Sequence, residues 1–213
     1  MSRTKERRKI IHEPSTHEIF ICLCGMPIYS KILVEQMPDK PYSEFLRWVI
    51  GKNFFNERTE KILIKKIASD FKADTAKVTK WIKEIYEEIF ELNFNKPELF
   101  QNEGIKVSLL MKHHDNSCNI DTSMPVLPRE FELIRFPFVK AKIGTEYFWV
   151  KRVEHEIVEN NTTITLWLEG GFLNKYRELA LDKAIFQGRI HFMDVYHKSE
   201  FELDDEIKKI YRN

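Results

Sequence analysis

From Val78 to Leu92 the apolar residues Val78, Trp81, Ile82, Ile85, Ile89 and Leu92 recur every three or four positions, which puts them on one stripe of an α-helix. A stripe that long has to be covered by other apolar side chains. Ile62, Leu63, Ile67 and Phe71 follow the same repeat just upstream, and Phe45, Leu46, Val49 and Ile50 do so behind Ser43. Ser43, Asn56 and Asp74 carry side-chain oxygens suited to N-capping the three helices, and Gly51 suits the end of the first. Three helices with short connections are the minimum that buries these stripes.

The segments before them are less periodic. Residues 1–16 form a polar, basic arm. Glu18 to Cys24, EIFICLC, is a buried strand or the start of a helix that periodicity cannot arbitrate and is read as extended, and Ile28 to Met37 reads as a short helix with Ile28, Ile32, Leu33 and Met37 on one face. Pro38, Asp39 and Pro41 mark a loop. After Asn93 the character changes: Pro97, Gly104 and the polar run NSCNIDTS suggest a connector, with Ile105 to Met111 its one strand-like piece.

From Val126 onward aromatic and β-branched residues alternate with polar ones. Strands are expected at Phe131 to Ile143, Tyr147 to Val158 and Thr162 to Glu169, the last two joined as a hairpin through Glu159 to Asn161. Pro137 restricts the first of them to an edge or a bulge. Asn174 to Ala184 has helical content, Ile190 to Tyr196 is a strand candidate, and Glu200 to Arg212 is a helix or an acidic tail. The expected fold class is α+β, a trihelical N-terminal domain followed by a largely antiparallel β-rich domain. The corresponding partition is an arm at 1–16, a helical domain at 17–95, a connector at 96–125 and a β-rich domain at 126–213.

Hydrophobic residues at 43% and charged ones at 31% of 213 residues fit a folded protein with enough apolar surface for two modest cores. The formal charge of +1 does not mark a nucleic-acid binder, so local charge has to decide. The first twelve residues carry Arg3, Lys5, Arg7, Arg8 and Lys9 against Glu6, and Lys61 to Lys83 carry seven lysines against Asp70 and Asp74. Charge runs of this kind commonly do no more than solvate a helix face. Three cysteines without framework spacing, no signal-peptide core and no membrane-length apolar run suggest a reducing, cytoplasmic setting and no membrane partner.

Counted from Ile64, the residues Ile67, Ala68, Phe71, Ala73, Val78 and Trp81 fall where two steeply crossed helices need apolar or small side chains. Over Ile64 to Lys83 this pattern resembles the helix-turn-helix superfamily, with alanine at the close-contact point. Lys72 departs from it, because many members have glycine at that turn position. The resemblance implies binding to duplex DNA, and a role as a transcriptional regulator whose β-rich module serves dimerisation, ligand binding or partner contact.

With Val78 turned inward, Ala76, Lys80 and Lys83 face outward, Lys77 and Thr79 flank them, and Thr75 opens the helix. These six residues, with Arg7, Arg8 and Lys9 of the arm, are the candidate nucleic-acid contacts. The helix start beyond Asp74 would also offer backbone N–H groups to a phosphate. Lysine supplies salt-dependent phosphate attraction, and no Arg, Asn or Gln on this face offers bidentate base contacts. The helix then turns acidic at Glu84, Glu87, Glu88 and Glu91 with no compensating base in sequence, so only its first turns could enter a groove.

The rival expectation is a protein–protein adaptor using Trp81, the acidic helix end and the β module. Cys22 and Cys24 beside His12 and His17 lack the spacing of a structural zinc site, and His113, His114, Asp115 and Cys118 lie in a polar connector where they read as solvated, so no metal or other cofactor is expected. Strand alternation separates His155 from Glu154 and Glu156, and no nucleophile or phosphate-loop motif is present, so no enzymatic activity is expected. Trp149 and Trp167 could together form a stacking platform or line a small ligand pocket.

Overall fold

The computed structural model describes residues 10–52, 54, 63–159 and 161–212, which fall into two compact units, 10–171 and 172–212. The layout is α+β, with helices leading and strands following.

The larger unit begins with α1 (Thr16–Gly25), α2 (Pro27–Gln36), α3 (Ser43–Lys52), α4 (Ile64–Asp70) and α5 (Thr75–Asn95). Helix α1 replaces the extended segment expected at Glu18 to Cys24. Ser15 Oγ accepts the Glu18 N–H at 3.2 Å, and Ile19, Phe20, Cys22 and Leu23 are buried at helical spacing. Pro27 opens α2, where its missing N–H is not needed. Ser43 does not cap α3: its hydroxyl donates to the Met37 carbonyl at 2.8 Å, and the Tyr42 carbonyl accepts the Leu46 N–H. The caps expected at Asn56 and the apolar Ile62 lie outside the described residues. No helix among those described is long and apolar enough to cross a membrane, and the consecutive apolar helices α1 and α2 are bent 91° apart.

The expected connector contains a hairpin, β1 (Ile105–His113) and β2 (Asn116–Met124), turning through His114 and Asp115. Next come β3 (Leu133–Arg135), α6 (Lys140–Ile143), β4 (Tyr147–Val158) and β5 (Asn161–Gly170). They form one sheet in the order β2-β1-β5-β4-β3, antiparallel except where β1 runs parallel to β5. The strand expected over Phe131 to Ile143 is therefore short. Pro137 starts a helical turn that leads into α6, which Gly144 ends at φ 89°.

Val107, Leu109, Met111, Ile120, Phe148, Val150, Leu166 and Leu168 line the inner face of the sheet. They belong to the same buried cluster as Phe20, Leu33, Phe45, Ile85 and Ile89 of the helices. A single core thus joins the helical and sheet parts of residues 10–171.

The smaller unit holds α7 (Lys175–Phe186), α8 (Asp194–His197) and α9 (Glu200–Tyr211) around Leu181, Ala184, Ile190, Leu203 and Ile207. The strand expected at Ile190 to Tyr196 is instead a turn followed by α8. A strand needs a ladder partner for its backbone, and none of the described residues of this unit forms one. Helix α9 carries a full capping box, with Ser199 and Glu202 satisfying each other's backbone N–H groups.

Candidate nucleic-acid interface

The α4–α5 pair is built around a tight turn. Ala68, 1% exposed, lets the turn close in: its carbonyl accepts the Ala73 N–H at 2.9 Å, and Lys72 adopts φ 58°. Left-handed backbone at a non-glycine residue costs roughly 1 kcal/mol, and here it sits where the sequence pattern pointed to a glycine-type turn. Ile67 and Val78 are buried between the helices. Phe71 packs edge-on against Phe45 (5.3 Å) and Trp81 (6.3 Å), and Phe45 stacks on Trp81 at 5.7 Å. Aromatic rings from α3, the turn and α5 thus lock three helices together.

Burial orients α5 as its periodicity requires. Val78, Trp81, Ile82, Ile85, Tyr86, Ile89 and Leu92 are buried, whereas Ala76, Lys77, Lys80 and Lys83 are exposed and Thr75 and Thr79 half-buried. Lys77 is not a free arm: its Nζ lies 4.8 Å from the centre of the Trp81 ring. The helix start also differs from expectation. Asp74 Oδ1 accepts the N–H groups of Ala76 (2.7 Å) and Lys77 (3.3 Å), so two donors offered to a phosphate are taken by a carboxylate. Side chains, rather than helix-terminal amides, carry what anion attraction this end has.

Lys65, Lys72, Lys80 and Lys83 are all exposed and form no ion pair with a described carboxylate. Lys65 and Lys72 extend the basic tip beyond α5. They counted in the local charge, but face assignment along α5 alone could not include them.

The acidic half of α5 behaves otherwise. Glu87 pairs with Lys142 at 2.5 Å, and Glu88 pairs with Lys40 at 2.8 Å and accepts the Tyr42 hydroxyl. The bases absent from the local sequence therefore come from the α2–α3 loop and from α6. The Glu88 hydrogen bond raises the Lys40 ammonium pKa, while burial, followed by Glu88, raises the Tyr42 phenol pKa. Further along, Tyr86 donates to the Phe138 carbonyl at 2.8 Å. The Asn93 side chain makes two bonds to the Asp121 backbone, at 2.8 and 2.9 Å.

Trp149 and Trp167 do not form a joint platform. Trp149 is 5% exposed, stacks on Phe131 and lies opposite Glu169 in the ladder. Trp167 lies under the Arg152 guanidinium at 4.8 Å and donates its indole N–H to Glu154 at 2.8 Å. A bulge between Val150 and Arg152 shifts the register between the two tryptophans.

Cys22 and Cys24 lie on a helix rather than at alternate strand positions. Burial pushes the thiols up, Cys22 to about 11 and both Cys24 and Cys118 to about 12, which keeps them protonated. Among the described residues no three His, Cys, Asp or Glu side chains gather as a metal site. Arg7, Arg8 and Lys9 lie outside the described residues.

Comparison of the chain with protein-family models, with characterised proteins and with solved structures finds no match.

Proposed function

We propose that this protein binds duplex DNA through the tip formed by α4, its turn and the first two turns of α5, and acts as a transcriptional regulator. The observation that carries the reading is the uneven pairing of charge along α5. Lys80 and Lys83 form no ion pair with a described carboxylate, whereas Glu87 pairs with Lys142 and Glu88 with Lys40. Exposed lysines that pair with no described carboxylate have no described ion pair to break on binding, and a polyphosphate backbone is the anion that rewards several of them at once.

Lys80 and Lys83 supply phosphate attraction, Lys65 and Lys72 widen it, and Thr75 and Thr79 offer short donors to phosphate or base edges. The adaptor alternative loses some of its contacts, since Trp81 is 7% exposed beneath Lys77 and Glu87 and Glu88 of the acidic end are engaged internally.

The test is a salt titration of binding to random duplex, comparing the native protein with Lys80→Ala/Lys83→Ala. Lys77 is spared because it packs on Trp81. Binding should weaken, and the slope of log K against log salt should flatten by about 0.9 for each lysine removed. The absence of any duplex binding by the native protein at low salt refutes the reading.

A further inference from the structure

Base identity is read in the major groove chiefly by side chains that present two hydrogen-bonding groups in a fixed geometry, Arg to guanine and Asn or Gln to adenine. From Ile64 to Lys83 the chain reads IKKIASDFKADTAKVTKWIK and contains none of the three. The side-chain donors that this stretch offers to solvent are lysines, with Ser69, Thr75 and Thr79 beside them. A lysine ammonium is a flexible point charge and a hydroxyl donates a single bond, so neither selects a base by geometry.

The leading end of α5 is also closed. When a recognition helix enters a groove, its N-terminal residues are the ones that meet base edges. Here Asp74 places a carboxylate at that end, and its Oδ1 accepts the Ala76 and Lys77 N–H groups at 2.7 and 3.3 Å. Two of the peptide donors and the positive end of the helix dipole are therefore met from within the chain. Lys77 lies against the Trp81 ring, its Nζ 4.8 Å from the centre, and Ala76 beside it has no side-chain donor.

What this surface keeps is charge. Lys65 on α4, Lys72 in the turn and Lys80 and Lys83 on α5 are exposed, and none forms an ion pair with a described carboxylate. Cations drawn from two helices and the turn between them suit a row of phosphates, which every duplex presents alike and which carries no sequence information. Building on the DNA-binding reading, we infer that the α4–α5 tip holds the phosphate backbone of duplex DNA without discriminating base sequence.

The test takes the arginines out of the basic arm, so that any preference left belongs to the rest of the chain. The full chain carrying Arg3→Ala, Arg7→Ala and Arg8→Ala is put through repeated rounds of enrichment on a random pool of duplexes. No motif should emerge, and single duplexes of equal length should differ less than tenfold in affinity, where specific binding exceeds non-specific binding by about a thousandfold or more. Lys65→Ala/Lys72→Ala and Lys80→Ala/Lys83→Ala, each added to that chain, should flatten the slope of log K against log salt by about 1.8, equally on every duplex and with circular dichroism unchanged. A native protein that binds no duplex at low salt removes the DNA-binding reading and this inference together. If the native protein binds, then loss of all binding with the arm arginines, a preference of tenfold or more for one duplex, or a lysine pair that leaves the slope unchanged or alters it on some duplexes only overturns the inference alone.

Discussion

The two halves of α5 share one apolar stripe yet treat their charges in opposite ways. From Thr75 to Lys83 the helix packs through Trp81 on the aromatic rings of Phe45 and Phe71, and its outward lysines form no ion pair with a described carboxylate. From Glu84 to Asn95 it is tied to the sheet and loops by Tyr86, Glu87, Glu88 and Asn93. Equal burial beneath and unequal pairing above separate a structural half from a half whose charge is unpaired among the described residues. The contrast also bears on how an acidic helix can continue from a basic tip: two of its four carboxylates, Glu87 and Glu88, are already paired within the fold.

The sharpest way to break this division is to damage the structural half and watch both properties. Ile85→Ala and Ile89→Ala each remove a fully buried side chain from the shared core. Each should cost about 2–5 kcal/mol in urea unfolding, lowering the midpoint without a change in slope. DNA affinity measured well below the melting range should stay within twofold. A large affinity loss from Ile89→Ala in the folded protein would show that the halves are coupled.

Asn93→Ala comes next in size. Asn93 is 3% exposed, and its amide satisfies both the N–H and the carbonyl of Asp121. Truncation strands two backbone groups and should cost about 1–3 kcal/mol, again read from urea unfolding. Hydrogen exchange at the Asp121 amide should accelerate more than elsewhere in β2, which ties the loss to this bond rather than to general loosening.

The thiols behind the structural half, Cys22 buried and Cys24 and Cys118 half-buried, give a graded effect. A thiol whose pKa is raised on folding adds stability that is fully present below the unfolded value near 9 and is lost as pH rises through the folded value. For Cys22, Cys24 and Cys118 the window runs from about pH 9 to about 11 or 12. Within it, each thiol should lower unfolding free energy by at most about 1.4 kcal/mol per pH unit. Urea unfolding at stepped pH should fall over this window and flatten when the three cysteines are replaced by serine.

How much of this was legible in the residues depends on how each signal is carried. The stripe of α5 is a repeat within one element and the structure follows it, and β4 and β5 are strands as expected, although burial alternates only at Leu166 to Leu168, since Phe148, Trp149 and Val150 are all buried. Capping also reads locally: Asp74 behaves as expected, and Ser15 followed by Glu18 was an available helix-start signal that the apolar run EIFICLC masked. Strand β2 hid because it lies at the sheet edge and only Ile120 along it is fully buried, so it lacks an alternating pattern. Long-range partners hid for a plainer reason. Nothing near Glu87 or Glu88 in sequence indicates Lys142 or Lys40, so the internal neutralisation on which the contrast rests appears only in three dimensions. The same holds for the bulge that parts Trp149 from Trp167.

The smallest expected effect separates backbone from charge at the tip itself. Lys72 holds a left-handed conformation at φ 58° and also carries one of the exposed positive charges. Lys72→Gly relieves roughly 1 kcal/mol of backbone strain but adds freedom to the unfolded chain, so the net gain in stability should fall below about 1 kcal/mol. Lys72→Ala keeps the strain and loses the same charge. The two variants should therefore differ in unfolding free energy, glycine above alanine, while sharing one reduced salt slope, lower than the native slope by about 0.9. Equal stabilities would mean that the turn does not strain its lysine. Unequal salt slopes would mean that the shape of the turn, and not only its charge, meets the phosphate backbone, and the line between the two halves of α5 would then have to be drawn by geometry as well as by pairing.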